Sequence, residues 1–154
     1  GTYNMRKLVL AAAAAAALSA TPAFAANEAR VEARGGIAFA GGTEEAFAGV
    51  AAGYDFDLGD SAFIGVEGSA DKVLANGAKV LWGLGARVGA KTGDAGKLYA
   101  IGGIGFCCST SDPFLGAGYQ HKFGESLYGK IEYRRVLTAG TDLNFVGVGL
   151  GTTF

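Results

Sequence analysis

Histidine is almost missing from this 154-residue chain: His121 stands alone, and with only two cysteines beside it no Cys/His cluster can assemble to hold a metal. The cysteines, adjacent as Cys107-Cys108, are too few for a disulfide scaffold. Only two prolines occur, and the 27 glycines show no Gly-X-Y period, so a collagen-like chain is excluded, while so much glycine also argues against long helices. Positive charge is not in excess, with 13 Lys and Arg against 14 Asp and Glu, and nucleic acid is not an expected partner. Past residue 25 no run is long and apolar enough for a membrane-spanning helix. The length suits one domain with a real core. No cofactor is expected.

What is present begins with an address. Met5 is followed by Arg6-Lys7, an apolar run from Leu8 to Leu18, and small residues ending Ala23-Phe24-Ala25. A positive start, a short apolar stretch and an Ala-x-Ala end read as a secretory signal cut between Ala25 and Ala26. The apolar run is about half of the roughly 20 residues that a spanning helix needs. Residues 1–4 precede Met5, the expected initiator. Residues 1–25 are thus expected to be a signal peptide and 26–154 the domain.

From residue 26 the chain alternates with period two. Arg30, Glu32 and Arg34 share one side of the first segment, opposite Val31, Ala33, Ile37 and Phe39. A strand with one charged and one apolar face results. The second segment, Ala46 to Leu58, sets Val50, Tyr54 and Phe56 against Gly49, Gly53, Asp55 and Asp57. Further segments run from Ser61 to Asp71, Ala78 to Lys91, Lys97 to Phe106, Phe114 to Phe123, Leu127 to Arg135 and Leu143 to Phe154. That makes eight, most near the length a tilted strand needs to cross a bilayer. Connections near 59–60, 92–96 and 124–126 read as tight turns, and those near 40–45, 72–77, 107–113 and 136–142 as longer loops. Short turns on one side and longer loops on the other fit an eight-stranded antiparallel up-and-down transmembrane β-barrel with both termini on the periplasmic side.

A soluble barrel would share the alternation, but it would fill its core face with bulky aliphatics. Here the polar face carries glycines beside long charged side chains, as a narrow polar lumen requires. Buried charges need partners of opposite sign. The expected lumen network is Arg30, Glu32, Arg34, Glu67, Arg87, Lys130, Glu132 and Arg134. On the other face Phe39, Tyr54, Phe56, Trp82, Phe106, Tyr119, Phe123 and Tyr133 are placed for aromatic girdles at the lipid interfaces.

Three stretches carry a family likeness: Gly53-Tyr54-Asp55-Phe56-Asp57-Leu58-Gly59-Asp60, Tyr128-Gly129-Lys130-Ile131-Glu132-Tyr133-Arg134 and the terminal Val146 to Phe154. Together they resemble the porin-like outer-membrane β-barrel family, which includes opacity-type surface antigens and the OmpA transmembrane domain. The resemblance implies the outer membrane of a Gram-negative bacterium, with membrane lipid around the barrel. It also implies periplasmic chaperones and the barrel-assembly machinery as partners in biogenesis, with Phe154 as the assembly signal. A monomer is the default for this size.

Enzyme chemistry finds little footing. His121 alternates with Tyr119 and Phe123, which places it in the lipid-facing belt rather than beside a nucleophile. Cys107 and Cys108 open a loop, and a vicinal disulfide, a link to another chain and the reduced pair all remain open. Eight strands enclose a lumen just wide enough for their own side chains. The expected function is therefore a non-enzymatic barrel with a structural or surface role in the envelope. The alternatives are a narrow porin for small solutes or ions and a surface adhesin.

Overall fold

The computed structural model describes residues 27–107 and 110–154. The expected signal peptide with its cleavage site, Ala25-Ala26, and the Cys108 half of the cysteine pair lie outside the described residues. Eight strands follow in chain order: β1 (Glu28–Ala40), β2 (Thr43–Asp57), β3 (Ala62–Val73), β4 (Val80–Thr92), β5 (Gly96–Cys107), β6 (Thr110–Lys122), β7 (Leu127–Val136) and β8 (Leu143–Thr153). Each pairs antiparallel with its sequence neighbour, and β1 pairs with β8, so the sheet closes on itself. Closure satisfies every strand edge, the condition for a sheet in a medium that offers no hydrogen bonds.

The stagger can be followed from pair to pair. Ala29 faces Tyr54, then Val66, Ala86, Gly102, Leu115, Arg135 and Asn144 in turn, and Asn144 returns to β1 at Phe39. The circuit thus climbs from residue 29 to residue 39, a shift of ten residues. With a rise of ~3.4 Å per residue and ~4.8 Å between strands, that shift tilts the strands by about 42°. A twelve-residue strand such as β3 then spans roughly 30 Å along the barrel axis, enough for a hydrocarbon layer.

One rim holds the first and last described residues, 27 and 154, and the connections 58–61, 93–95 and 123–126; we term it the terminal rim. At the far rim the expected longer loops are only partly found. Residues 74–79 and 137–142 connect β3 to β4 and β7 to β8, but β1 and β2 are joined by Gly41-Gly42 alone. Both glycines have positive φ, 55° and 85°, the pattern of a type I′ turn, whose twist matches the strands it joins. The polar residues Thr43 to Glu45, expected in a loop, instead extend β2 beside Ala40 to Ala38. Likewise β6 begins at Thr110, so Pro113 lies within a strand. Near the strand end its missing N–H removes a single ladder bond, while its carbonyl accepts from Leu137 N at 2.8 Å.

Side-chain parity inverts the pattern of a soluble protein. The outer face carries Leu84 and Val148 at 63% and 62% exposure, with Leu115, Leu150, Ile131 and Leu98 similarly bare. Ten charged side chains are buried inside. The outer face is a continuous apolar belt far larger than the patches that soluble monomers tolerate.

Candidate functional site

Among the described residues, chemistry concentrates in the lumen. Even-numbered positions of β1 and β7 and odd-numbered positions of β3 and β4 point inward, so Arg30, Glu32, Arg34, Glu67, Arg87, Lys130, Glu132 and Arg134 all enter it. Glu67 on β3 is the hub. It receives Arg30 Nη1 at 2.9 Å and Arg134 Nη2 at 2.8 Å, with Arg34 and Lys130 each 3.8 Å away. Because β3 and β7 stand four strands apart in a ring of eight, the Arg134–Glu67 and Lys130–Glu67 pairs cross the full lumen. Lys130 also meets Glu32 at 2.6 Å, and Arg134 meets Glu132 at 2.9 Å.

Two further carboxylates complete the network. Asp71 takes the Arg34 guanidinium in a fork, Nε at 2.8 Å and Nη2 at 2.5 Å, a planar match that lysine cannot make. Asp55 holds Arg87 in the same way, at 3.1 Å and 2.6 Å, and also accepts from Lys97 at 2.9 Å. Five cations (Arg30, Arg34, Arg87, Lys130, Arg134) thus meet five carboxylates (Glu32, Asp55, Glu67, Asp71, Glu132), and the buried charges balance. Balance decides whether such an interior is tolerable, since an unpaired buried charge costs several kcal/mol. Arg87 does not reach Glu67. It joins Asp55 and donates to Gln120 Oε1 at 3.0 Å. The rings of Tyr99 and Phe63, 4.6 Å and 5.3 Å from its guanidinium carbon, offer π faces where its Nη1 lacks an acceptor among the described residues. Two buried phenols close the set, Tyr99 Oη donating to Glu132 at 2.8 Å and Tyr128 Oη to Glu32 at 2.7 Å.

Toward the far rim the lumen turns apolar. Phe47, Phe114 and Phe145 pack there with Ala38 and Val136, flanked by Val73, Leu81 and Leu143. The rings of Phe47 and Phe145 meet edge-to-face, centroids 5.0 Å apart. A void beside Phe114 and Val136 measures about 10 Å³, the size of a single water. At the terminal rim the opposite holds. A polar vestibule of about 320 Å³ opens there between Lys91, Lys97, Lys122, Glu28 and Asp57, with Gln120 also lining it. Lys91 pairs with Asp57 at 2.8 Å, Lys97 with Glu28 at 2.8 Å, and Lys122 also binds Glu28.

The glycines explain how so much fits. A Cβ on Gly53 would lie 2.6 Å from Arg30 Nη2, one on Gly118 2.5 Å from Tyr99 Oη, and one on Gly151 2.6 Å from Tyr128 Oη. Inward-facing glycines are therefore sockets for side chains that arrive from other strands, rather than room left for water.

The aromatic residues expected at the lipid interfaces share the outward parity and separate into two groups. Phe39, Trp82, Phe106 and Tyr133 lie toward the far rim, and Tyr54, Phe56, Tyr119 and Phe123 toward the terminal rim. Tyr54 departs from the expected exposed belt: it is only 9% accessible, with its ring 4.8 Å from that of Phe56. His121 lies between Tyr119 and Phe123 in a ladder of rings, its Nδ1 3.1 Å from Tyr119 Oη. Phe154 is 44% exposed, and its N–H donates to Ala29 O at 2.9 Å. Among the described residues no group of three or more His, Cys, Asp and Glu side chains is placed to hold a metal ion.

The expected network leaves out Asp55, Asp71, Lys97, Gln120, Tyr99 and Tyr128 as members, and Phe47, Phe63, Phe114 and Phe145 as lumen residues. The signal was there for all of them. Asp55 is in phase with Gly53, Tyr99 with Lys97, and Phe47 with Gly49. Taking the lumen face to be purely polar hides the aromatic members.

A closed eight-stranded barrel that is apolar outside and ionic inside has the architecture of a transmembrane β-barrel. Solved structures share it. The N-terminal barrel domain of Pseudomonas aeruginosa OprF aligns at 17% identity and TM-score 0.59 over 82% of this chain and 97% of that one. Ail, the attachment invasion locus protein of Yersinia pestis, aligns at 12% and 0.60 over 83% and 97%. Neisserial surface protein A aligns at 14% and 0.58 over 84% and 97%. At these identities the likeness is one of fold. No family model and no curated protein matches the sequence.

Proposed function

We propose that this chain is a non-enzymatic, closed structural barrel of a Gram-negative outer membrane, exported by its leader and contributing to envelope integrity or surface properties. The observation that carries the reading is the occluded lumen. Arg134 and Lys130 reach across it to Glu67, and Phe47, Phe114 and Phe145 fill it beyond. The solved barrels of like fold support the location; an even strand number brings both barrel ends to one side, which in this reading is the periplasm. In this reading the chain reaches the membrane with the help of periplasmic chaperones and the barrel-assembly machinery, with Phe154 as its signal, and it stays monomeric.

A narrow pore is the second reading, favoured by the 320 Å³ vestibule that enters the lumen from the terminal rim. The vestibule leads to the Arg87–Asp55 fork, which stands between it and the Glu67 network. An adhesin draws no comparable support, because among the described residues the longest far-rim connections, 74–79 and 137–142, have six residues each.

Proteoliposome swelling separates the first two readings. The refolded chain should show heat-modified gel mobility, and its vesicles should swell in small sugars no faster than lipid alone. Rapid swelling by folded protein would favour the pore; absence of both folding shift and insertion would remove the barrel from the membrane altogether.

A further inference from the structure

The apolar outer face is not uniform. Two shallow troughs run across it side by side, about 670 Å³ and 500 Å³ in volume. The first lies over Gly129 and Gly35, with Phe123 and Tyr119 as one wall. The second lies over Ala52, between Leu127 and Val50. Ala33 and Leu150 line both, and they are cross-strand partners, so this pair forms the divide between the troughs. The register places the two at the same depth, in the half of the barrel nearer the terminal rim. Both also end at one place: Phe123 lines the first and Leu127 the second, and only the turn 124–126 separates them.

Two apolar channels of similar depth that diverge from a single polar turn match one molecule with two hydrocarbon tails and one headgroup. We propose that this face binds a diacyl glycerophospholipid of the periplasmic leaflet, one tail in each trough and the headgroup at residues 124–126. The site rests on the membrane reading above, for its occupant is taken from the lipid that surrounds the barrel. Small side chains make the troughs, since Gly35, Gly129 and Ala52 stand where neighbouring rows carry Leu, Ile or Val. Glu125, exposed on the turn, suits a headgroup that bears an amine.

The test is native mass spectrometry of the full chain, folded in phosphatidylethanolamine vesicles and extracted in mild detergent. Ala33→Leu fills the divide of both troughs from an exposed position, and Ala86→Leu makes the same change on the outer face of β4, away from them. The wild type and A86L should retain one phospholipid, and A33L should lose at least tenfold of that retention. Equal retention in all three, or in none, overturns the proposal, as does a lipid-free mass of two chains, which would give the face to a second copy. Gel mobility tells the two failures apart. If all three proteins shift on heating, only the lipid site has failed; if none shifts, the barrel reading itself has failed.

Discussion

Arg134 of β7 reaches Glu67 of β3, the strand opposite, and their 2.8 Å contact bars the lumen at its middle. Around that bar the interior forms a sequence of layers. A polar vestibule at the terminal rim gives way to a charge-balanced network and then to an aromatic plug at the far rim. The barrel is held as much by its contents as by its wall.

Removing the hub charge should therefore be costly. Glu67→Gln leaves Arg30, Arg34, Lys130 and Arg134 to share the remaining carboxylates, and breaking buried pairs from one side costs about 3–5 kcal/mol. Urea unfolding in lipid vesicles, followed by tryptophan fluorescence from Trp82, measures the loss. A change below about 1 kcal/mol, the scale of exposed ion pairs, would mean that the network is solvated.

The socket role of the inward glycines separates two otherwise similar substitutions. Gly53→Ala drives a methyl toward Arg30 and the Val66 carbonyl, and overpacking of this kind costs about 1–3 kcal/mol. Gly102→Ala, whose nearest neighbour would be 3.6 Å away, should stay within about 0.5 kcal/mol of wild type. Equal costs at the two sites, in the same unfolding experiment, would contradict the socket role.

The outward parity makes a prediction opposite to the one for a soluble protein. Val148→Arg places a cation at a 62% exposed position, which water would accept almost without cost. In hydrocarbon it should cost about 2–4 kcal/mol near the midplane. Comparing folding yields of V148R and V148L in bilayers and in detergent micelles gives the answer. Indifference to arginine would place that face in water.

At the far rim Gly41 and Gly42 both occupy the left-handed region. Gly41→Asn keeps a residue that tolerates it and should be near neutral, whereas Gly42→Val should cost about 1–3 kcal/mol through backbone strain. Thermal unfolding of the two variants reads the difference directly.

Much of this was legible in the chain, because a strand's period is two and each residue has only two faces to choose between. Arg30, Glu32 and Arg34 in alternation declare a polar face, and Glu67, Lys130 and Arg134 repeat the declaration on other strands. What alternation cannot carry is height. Nothing local says that Phe47, Phe114 and Phe145 meet at one level, since that depends on the ten-residue stagger summed around eight strands. The same holds for Asp71, which looks like a strand-end residue until the register brings it to Arg34. Thr43 to Glu45 and Thr110 to Asp112 read as loops by composition, yet the hairpins continue through them. Polar residues at a strand end cost nothing once the strand has risen past the hydrocarbon.

Planar-bilayer conductance of the refolded chain bears most directly on the occluded lumen. With Glu67 bridged across the barrel and the three phenylalanines beyond it, folded protein that shifts on heating should give no discrete current steps. Reproducible steps from that same folded protein would show an open path through the network and the plug, and the lumen charges would then have to be read as the lining of a pore.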